Sequence, residues 1–380
     1  MKKIILMILI WIIPVLCESA MNFEEFLDKL NSFPIPEKYK LVDKFISSFP
    51  SFPIIEEDTL VHFVIRQKAI SVFLTGDFNN WQLDIECENV PYTDLWYYTA
   101  QFEPDARLDY KFVINGDTWL LDPLNPKRIP GGFGNNSELM MPEYVPAPEM
   151  DCYDDLFHGT LKNTTLYCEY LQQDRDVILY LPYKSSEYKK LPIILFQDGS
   201  DYLNFAMAKN ILDYLIFHEM IEPIIGVFIS PVKRNEEYAG ALKDEYGNFI
   251  AETVFPFLYN DYNVSGDPED HAVIGASNGG NISLWLGFHY PELFRKIGAQ
   301  SSYVEETLQT EFATSDKLPL QIYIDIGKYD IPMLEELAEQ FIPILSDKEY
   351  PLTYKEFPEG HSWGNWRGHL GDILIEFFSK

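Results

Sequence analysis

Cysteine is scarce: four residues in 380, at Cys17, Cys87, Cys152 and Cys168. None stands in Cys-x-x-Cys spacing, which argues against a cysteine-built metal or redox centre. Loss of Cys17 with a leader would leave three, room for one disulfide, and Cys152 with Cys168 is the expected pair. Positive charge is also short, with 29 Lys and Arg against 59 Asp and Glu, a formal net charge of −30. Such a surface repels phosphate backbones and anionic lipid, so nucleic acid and peripheral membrane binding are disfavoured and the charge reads as solubility outside the cell. Glycine-rich phosphate loops after a first strand are missing, as are metal, nucleotide and flavin motifs, so no cofactor and no metal are expected.

Long apolar runs are missing too, except at the start. Lys2-Lys3 precede an apolar stretch from Ile4 to Leu16, then Cys17-Glu18-Ser19-Ala20. A basic head, a short apolar run and small residues before a cut after Ser19 mark residues 1–19 as a signal peptide. An uncleaved anchor is the alternative. Lipid attachment at Cys17 is less favoured, because Pro14-Val15-Leu16 make a poor lipoprotein box. The mature chain is therefore expected to be secreted or periplasmic, with no membrane segment.

What is present is enough apolar residue, 47% of the chain, for a large core, and a length that calls for two folded units. Residues 20–55 carry apolar side chains at helical spacing, interrupted by Pro34 and Pro36, and predict two short packing helices. From about residue 56 to 145 short strand patterns alternate with turn clusters such as Asn79-Asn80 and Asn115-Gly116-Asp117, the pattern of a small β-sandwich. The proline-punctuated stretch from Met141 to Glu149 places a boundary, with residues 146–159 as linker. From 160 to 380 strands alternate with helices, which predicts an α/β fold with a mostly parallel, doubly covered sheet.

The chemistry centres on His271-Ala272-Val273-Ile274-Gly275-Ala276-Ser277-Asn278-Gly279-Gly280. A β-prone run entering Gly-x-Ser-x-Gly and leaving through a helical run is the context of a nucleophile elbow, with Ser277 as nucleophile. The strand pattern 320–326 runs into Gly327-Lys328-Tyr329-Asp330, and the last strand pattern into Pro358-Glu359-Gly360-His361. Asp330 and His361 thus fall in loops after strand ends, where active sites of such sheets lie, in hydrolase chain order. Asp325, inside its strand, reads instead as a structural carboxylate. His361 would take the Ser277 proton and Asp330 would orient the imidazole. The backbone N–H of Asn278 is one expected oxyanion donor, and the loop after the strand ending at Gln197 supplies the other, from Gly199 or Ser200.

Two resemblances extend this reading. Leu74-Thr75-Gly76-Asp77-Phe78-Asn79-Asn80-Trp81, then Leu108 to Gly116, Trp119 and Asp122-Pro123, resemble the early-set immunoglobulin-like modules of glycogen-branching enzymes and the AMP-activated kinase β subunit. That resemblance implies an immunoglobulin-like sandwich over 56–145, and in its glycan-binding members the residues matching Trp81, Lys111 and Trp119 form a sugar platform. Residues 160–378 resemble the putative esterase family of enterochelin esterases, esterase D and feruloyl or acetyl-xylan esterases. The match rests on Phe196-Gln197-Asp198-Gly199, Arg234-Asn235-Glu236-Glu237-Tyr238, the Ser277 motif, Tyr290-Pro291-Glu292-Leu293-Phe294 and Gly360-His361-Ser362-Trp363-Gly364-Asn365-Trp366-Arg367. It implies an α/β-hydrolase domain, in which Arg234 and Glu237 either form an ion pair that shapes the pocket or lie on a plain surface loop. Tyr202, Trp363 and Trp366, near the expected site, would suit an aromatic acyl group or belong to the core. The expected activity is hydrolysis of a small-molecule or oligosaccharide ester through a Ser-His-Asp triad, the substrate being a siderophore-type or a feruloyl or acetyl polysaccharide ester. An inactive glycan-binding scaffold and an acyltransferase using the same triad stay open.

Overall fold

The computed structural model describes residues 21–380, so the signal-peptide reading of residues 1–19 lies outside the described residues. Helices α1 (Phe23–Ser32) and α2 (Ile35–Ile46) open the chain; Asn22 caps α1 by accepting the Glu25 N–H at 2.8 Å. Their apolar stripes, with Phe23, Phe26, Leu30, Val42 and Phe45, bury against Val64 and Leu95 of the strands that follow.

Those strands form a two-sheet front module. One antiparallel sheet has the order β1-β2-β6-β5, from β1 (Ile54–Glu56), β2 (Leu60–Arg66), β5 (Glu88–Asn89) and β6 (Leu95–Gln101). The other is built around β7 (Arg107–Ile114), which pairs with β3 (Val72–Gly76), β8 (Thr118–Leu120) and β10 (Asn136–Met140), while β4 (Ile85–Glu86) and β9 (Arg128–Ile129) extend it. Val61, Phe63 and Ile65 from one sheet meet Leu74, Leu108, Tyr110 and Phe112 from the other in a single core.

The second unit carries strands β11 (Thr160–Cys168), β12 (Gln173–Leu181), β13 (Ile193–Phe196), β14 (Ile225–Ile229), β15 (His271–Ala276), β16 (Lys296–Gln300), β17 (Gln321–Tyr329) and β18 (Leu352–Gly360), in the order 11-12-14-13-15-16-17-18. From β14 to β18 the pairing is parallel. Central strand β15 is buried along its whole length, as a parallel strand covered on both faces must be. Helices α5 (Arg234–Ala239), α6 (Lys243–Phe249), α7 (Phe255–Asp261), α8 (Asn278–His289), α9 (Glu306–Thr314) and α10 (Pro332–Asp347) bury one face. Helices α3 (Gly199–Asn204), α4 (Ala208–Phe217) and α11 (Trp363–Phe378) bury the other.

The two units are stitched together. Arg107, first residue of β7, pairs in parallel with Glu359 near the end of β18, so the sheet of the second unit runs on into the front module. The stretch read as a proline-stiffened linker is laid down on α11, where Glu149 fills the space a side chain at Gly371 would need. The expected Cys152–Cys168 disulfide is absent: both thiols are free, as is Cys87. Extended β11, about 26 Å long at ~3.3 Å per residue, carries Cys168 away from the segment holding exposed Cys152. Cys168 is buried and its sulfur accepts the Leu171 N–H at 3.3 Å.

With no bridge to reduce, the melting temperature should be the same with and without dithiothreitol, and unchanged by Cys152→Ser. A fall of several degrees in either melt, the signature of a lost disulfide, would contradict the free-thiol assignment.

Candidate active site

Parallel strands that end level with one another set their following loops side by side. Strand β15 delivers Ser277 at φ 57° and ψ −124°, outside the regions a serine ordinarily occupies. The turn closes only because Gly275 lacks a side chain: a Cβ there would collide with the Gly279 backbone. The Ser277 N–H donates to Gln300 O at 2.8 Å and its carbonyl accepts the Tyr303 N–H at 3.2 Å, so neighbouring β16 holds the strained residue in place.

Strand β17 ends at Tyr329 and β18 at Gly360, and these two residues are register partners. The next residues are Asp330 and His361, and the register brings them together: His361 Nδ1 lies 2.7 Å from Asp330 Oδ1. Burial alone would raise the Asp330 carboxyl, but the hydrogen bond and charge of His361, with help from the Ser301 hydroxyl and the Ile331 N–H, hold it below the usual carboxylate range. Asp330 is thus an ionised partner for the imidazole. Asp325 sits inside β17, bonded to Gln300 Nε2 at 3.1 Å, and burial pushes its carboxyl up to about 7.

Asn278 is the first residue of α8, so its N–H has no acceptor within the helix. Gly199 opens α3; a Cβ there would overlap the backbone of Phe228 and Ile229. Ser200 gives its N–H to Ser230 Oγ at 3.0 Å and Asp198 gives its own to the Tyr238 hydroxyl at 3.0 Å. That leaves Gly199 as the uncommitted N–H of this turn.

The expected Arg234–Glu237 ion pair does not form. Helix α5 turns Glu237 inward, where it is fully buried and takes Nη1 and Nη2 of Arg175 on β12 at 3.0 and 2.8 Å, together with the Val232 and Lys233 N–H groups. Arg234 faces the other way, forks onto Asp198 at 2.8 and 2.7 Å and reaches the Ala276 carbonyl at 3.2 Å, directly before Ser277. Tyr202 is likewise not a pocket wall. It is fully buried, bonded to Gln300 Oε1 at 3.0 Å, and props Trp363 from beneath with ring centroids 5.2 Å apart. Trp363 and Trp366 do line the cavity. The Trp366 ring meets the His361 ring edge-on at 5.0 Å, and its N–H is fixed by Ser301 Oγ at 2.9 Å.

The platform residues of the front module turn out to face the same space. Trp81, Lys111 and Trp119 line one cavity with Ser277 and His361, rather than a separate surface. The two indoles lie nearly parallel, 6.5 Å apart, Trp81 donates to Asp77 at 3.1 Å, and Trp119 is 48% exposed. The cavity measures about 1180 Å³ and opens between the two units. Sequence reasoning missed Tyr329, Asp77, Asp109 and Phe133 on its lining. Phe133, wholly exposed within Gly131-Gly132-Phe133-Gly134, was the one with a readable signal: an aromatic among glycines on a turn. Among the described residues no group of three or more metal-ligating side chains converges.

A parallel sheet covered on both faces, with a strained serine after its central strand and a hydrogen-bonded aspartate–histidine pair after later ones, defines an α/β-hydrolase. The chain belongs to the Putative esterase family, whose model matches residues 168–377; it is an esterase-class hydrolase. Among relatives, the uncharacterized protein YjcH of Bacillus subtilis (strain 168) is 27% identical over 225 residues, 55% of this chain and 94% of its own. The ferric enterobactin esterase of Salmonella typhimurium superposes with a TM-score of 0.75 at 18% identity, covering 85% of this chain and 95% of its own. A ferulic acid esterase from Anaeromyces mucronatus, solved with ferulic acid, gives 0.53 at 18% identity over 61% and 95%.

The Arg175–Glu237 pair underlies the loop carrying Arg234. Glu237→Gln should destabilise the fold by about 3–5 kcal/mol, the cost of stranding one partner of a buried ion pair, read from urea unfolding. Glu187, in the exposed Lys184–Glu187 pair, should cost under about 1 kcal/mol when changed to Gln. Equal losses for the two would place Glu237 at the surface instead.

Proposed function

We propose that the protein is a serine carboxylic-ester hydrolase whose substrate carries phenolic aryl groups. The observation that carries this reading is the ionised Asp330 bonded to His361 in a cavity that Ser277 shares with six aromatic side chains: Trp81, Trp119, Phe133, Tyr329, Trp363 and Trp366.

The chemistry follows from the roles such groups can play. His361 removes the Ser277 proton as the hydroxyl attacks the ester carbonyl, and Asp330, without leaving its carboxylate state, holds the imidazole tautomer and stabilises the cation formed. The tetrahedral oxyanion is met by the N–H groups of Asn278 and Gly199, at the N-terminal ends of α8 and α3. His361 then returns the proton to the leaving alcohol, and water repeats the cycle on the acyl-enzyme. Secretion through residues 1–19 would put this activity outside the cytoplasm.

Cavity size and charge point to the substrate class. At about 1180 Å³ it exceeds a pocket for one drug-sized molecule, so it accommodates an ester with several rings. Lys111 and Arg234 are its cations, Arg234 already paired with Asp198, while Asp201 is a further carboxyl and burial pushes those of Asp77 and Asp109 up. That balance accepts hydrogen bonds from neutral phenol or catechol hydroxyls and offers little to a polyanion. A lactone carrying neutral catechol arms is therefore the preferred substrate, in keeping with the enterobactin in the name of the esterase this chain superposes on. The Trp81–Trp119 pair also supports a feruloylated oligosaccharide, its sugar resting on the indoles and its aryl group near Trp363.

Hydrolysis of p-nitrophenyl butyrate and of an aryl lactone should fall about 10⁴-fold or more in Ser277→Ala and by about 10²–10⁴-fold in Asp330→Asn. Equal rates for wild type and Ser277→Ala would end the serine-esterase reading. Trp81→Ala with Trp119→Ala should raise KM for the aryl lactone about tenfold while sparing p-nitrophenyl butyrate, given the worth of aromatic contacts. The metal-free catechol lactone should be cleaved faster than its ferric complex; the opposite order would refute the charge argument.

A further inference from the structure

The segment bearing His361 is gripped by the front module. Strand β18 ends in Glu359-Gly360, His361 and Ser362 follow, and α11 begins at Trp363 with Ser362 as its cap. From across the interface comes Arg107, fully buried at the start of β7. Its Nη1 donates to Ser362 Oγ at 3.3 Å and lies 3.9 Å from Glu359 Oε2. The rest of the guanidinium is fixed within its own module, Nη2 to Asp109 at 2.6 Å and Nε to Glu138 at 2.7 Å. The planar fork therefore spans three acidic groups and the hydroxyl next to the histidine, a geometry a lysine cannot reproduce.

Two glycines make room for this grip. A Cβ at Gly364 would overlap the Arg107 guanidinium, and a Cβ at Gly360 would overlap the Asp77 carboxyl. Asp77 is in turn held by the Asp109 N–H at 2.7 Å and the Trp81 indole N–H at 3.1 Å. Residues 360, 362 and 364 are thus each contacted by the front module, one before His361 and two after it. Asp330 touches the ring itself at Nδ1. A buried cation at an interface carries a large desolvation cost that apolar packing would avoid; here it fixes the backbone on both sides of the general base.

We propose that Arg107 is a positioning residue for His361, so that the front module is a working part of the catalytic centre. Through Ser362 and Glu359 it holds the Gly360–Gly364 segment at the level where the imidazole bonds Asp330 and faces the cavity that Ser277 also lines. The proposal rests on the reading of His361 as general base, and it concerns a residue that touches no reacting atom. Misplacement of a catalytic group by about 1 Å costs on the order of 10²-fold in rate, which sets the size of the effect.

The test compares full-length wild type with Arg107→Met and Arg107→Lys. The lysine variant keeps the cation that Asp109, Glu138 and Glu359 require, so it guards against a trivial loss of folding. Kinetics use p-nitrophenyl butyrate, too small to need the aromatic wall, and NMR of ¹⁵N-labelled histidine follows the His361 ring, assigned with a His361→Gln reference. The expected result is a kcat about 10²-fold lower in Arg107→Met and about tenfold lower in Arg107→Lys, with KM within about twofold. The His361 resonances should move in both variants while those of His271, buried far along β15, stay in place. Folded variants with wild-type kcat and unmoved His361 signals would overturn the proposal. If wild type shows Ser277-dependent hydrolysis and the variants match it, only this inference fails. If no ester is cleaved but the His361 signals still shift, the esterase reading fails and the grip on the loop stands.

Discussion

The 2.7 Å contact between His361 and Asp330 depends on β17 and β18 ending level, with Tyr329 opposite Gly360. A slip of one residue would turn the side chains to the other face of the sheet and leave a buried carboxylate without its partner. Much around the pair serves that register. Ser301 bonds Trp366, which stands edge-on to the imidazole, and Gly327 is bare because a side chain there would strike the Glu359 carbonyl. The neighbouring strand β16 spends a carbonyl, that of Gln300, on the strained serine and its side chain on Asp325 and Tyr202.

Legibility in the sequence follows the range of the forces involved. Ser277, Asp330 and His361 could be read because each lies directly after a strand-forming run, in a chain order that a parallel sheet converts into proximity. The Gly275 requirement could be read because it is a local collision. Helix α5 shows where reading stops: Arg234 and Glu237 are three apart and could face one another, but Arg175, 62 positions before Glu237, draws the glutamate into the core. Tyr202 has the composition of a pocket residue, and only the packing beneath Trp363 and the Gln300 amide makes it core. Strand β11 is an edge strand with mostly exposed side chains, so it offered no apolar run to mark it.

The relation between the two units was the least readable feature of all. Trp81, Lys111 and Trp119 could be picked out as a platform, but nothing local says which way a platform faces. Arg107 and Ser362 are 255 positions apart, and neither carries a motif. What joins them is a strand pairing at the end of β18 that carries one sheet into the next. The consequence is a cavity with Ser277 on one wall and the paired indoles on the other, so that, under the proposed function, substrate selection and bond cleavage would draw on different modules.

The most direct measurement is a crystal structure of the protein reacted with a phosphonate ester bearing a catechol-like aryl arm. The expected result is phosphorus bonded to Ser277 Oγ, its oxygen turned to the Asn278 and Gly199 N–H groups, and the aryl arm in the cavity between Trp363 and the Trp81–Trp119 pair. Phosphorus on another residue, or an arm lying outside the cavity, would contradict a single active site built from both modules.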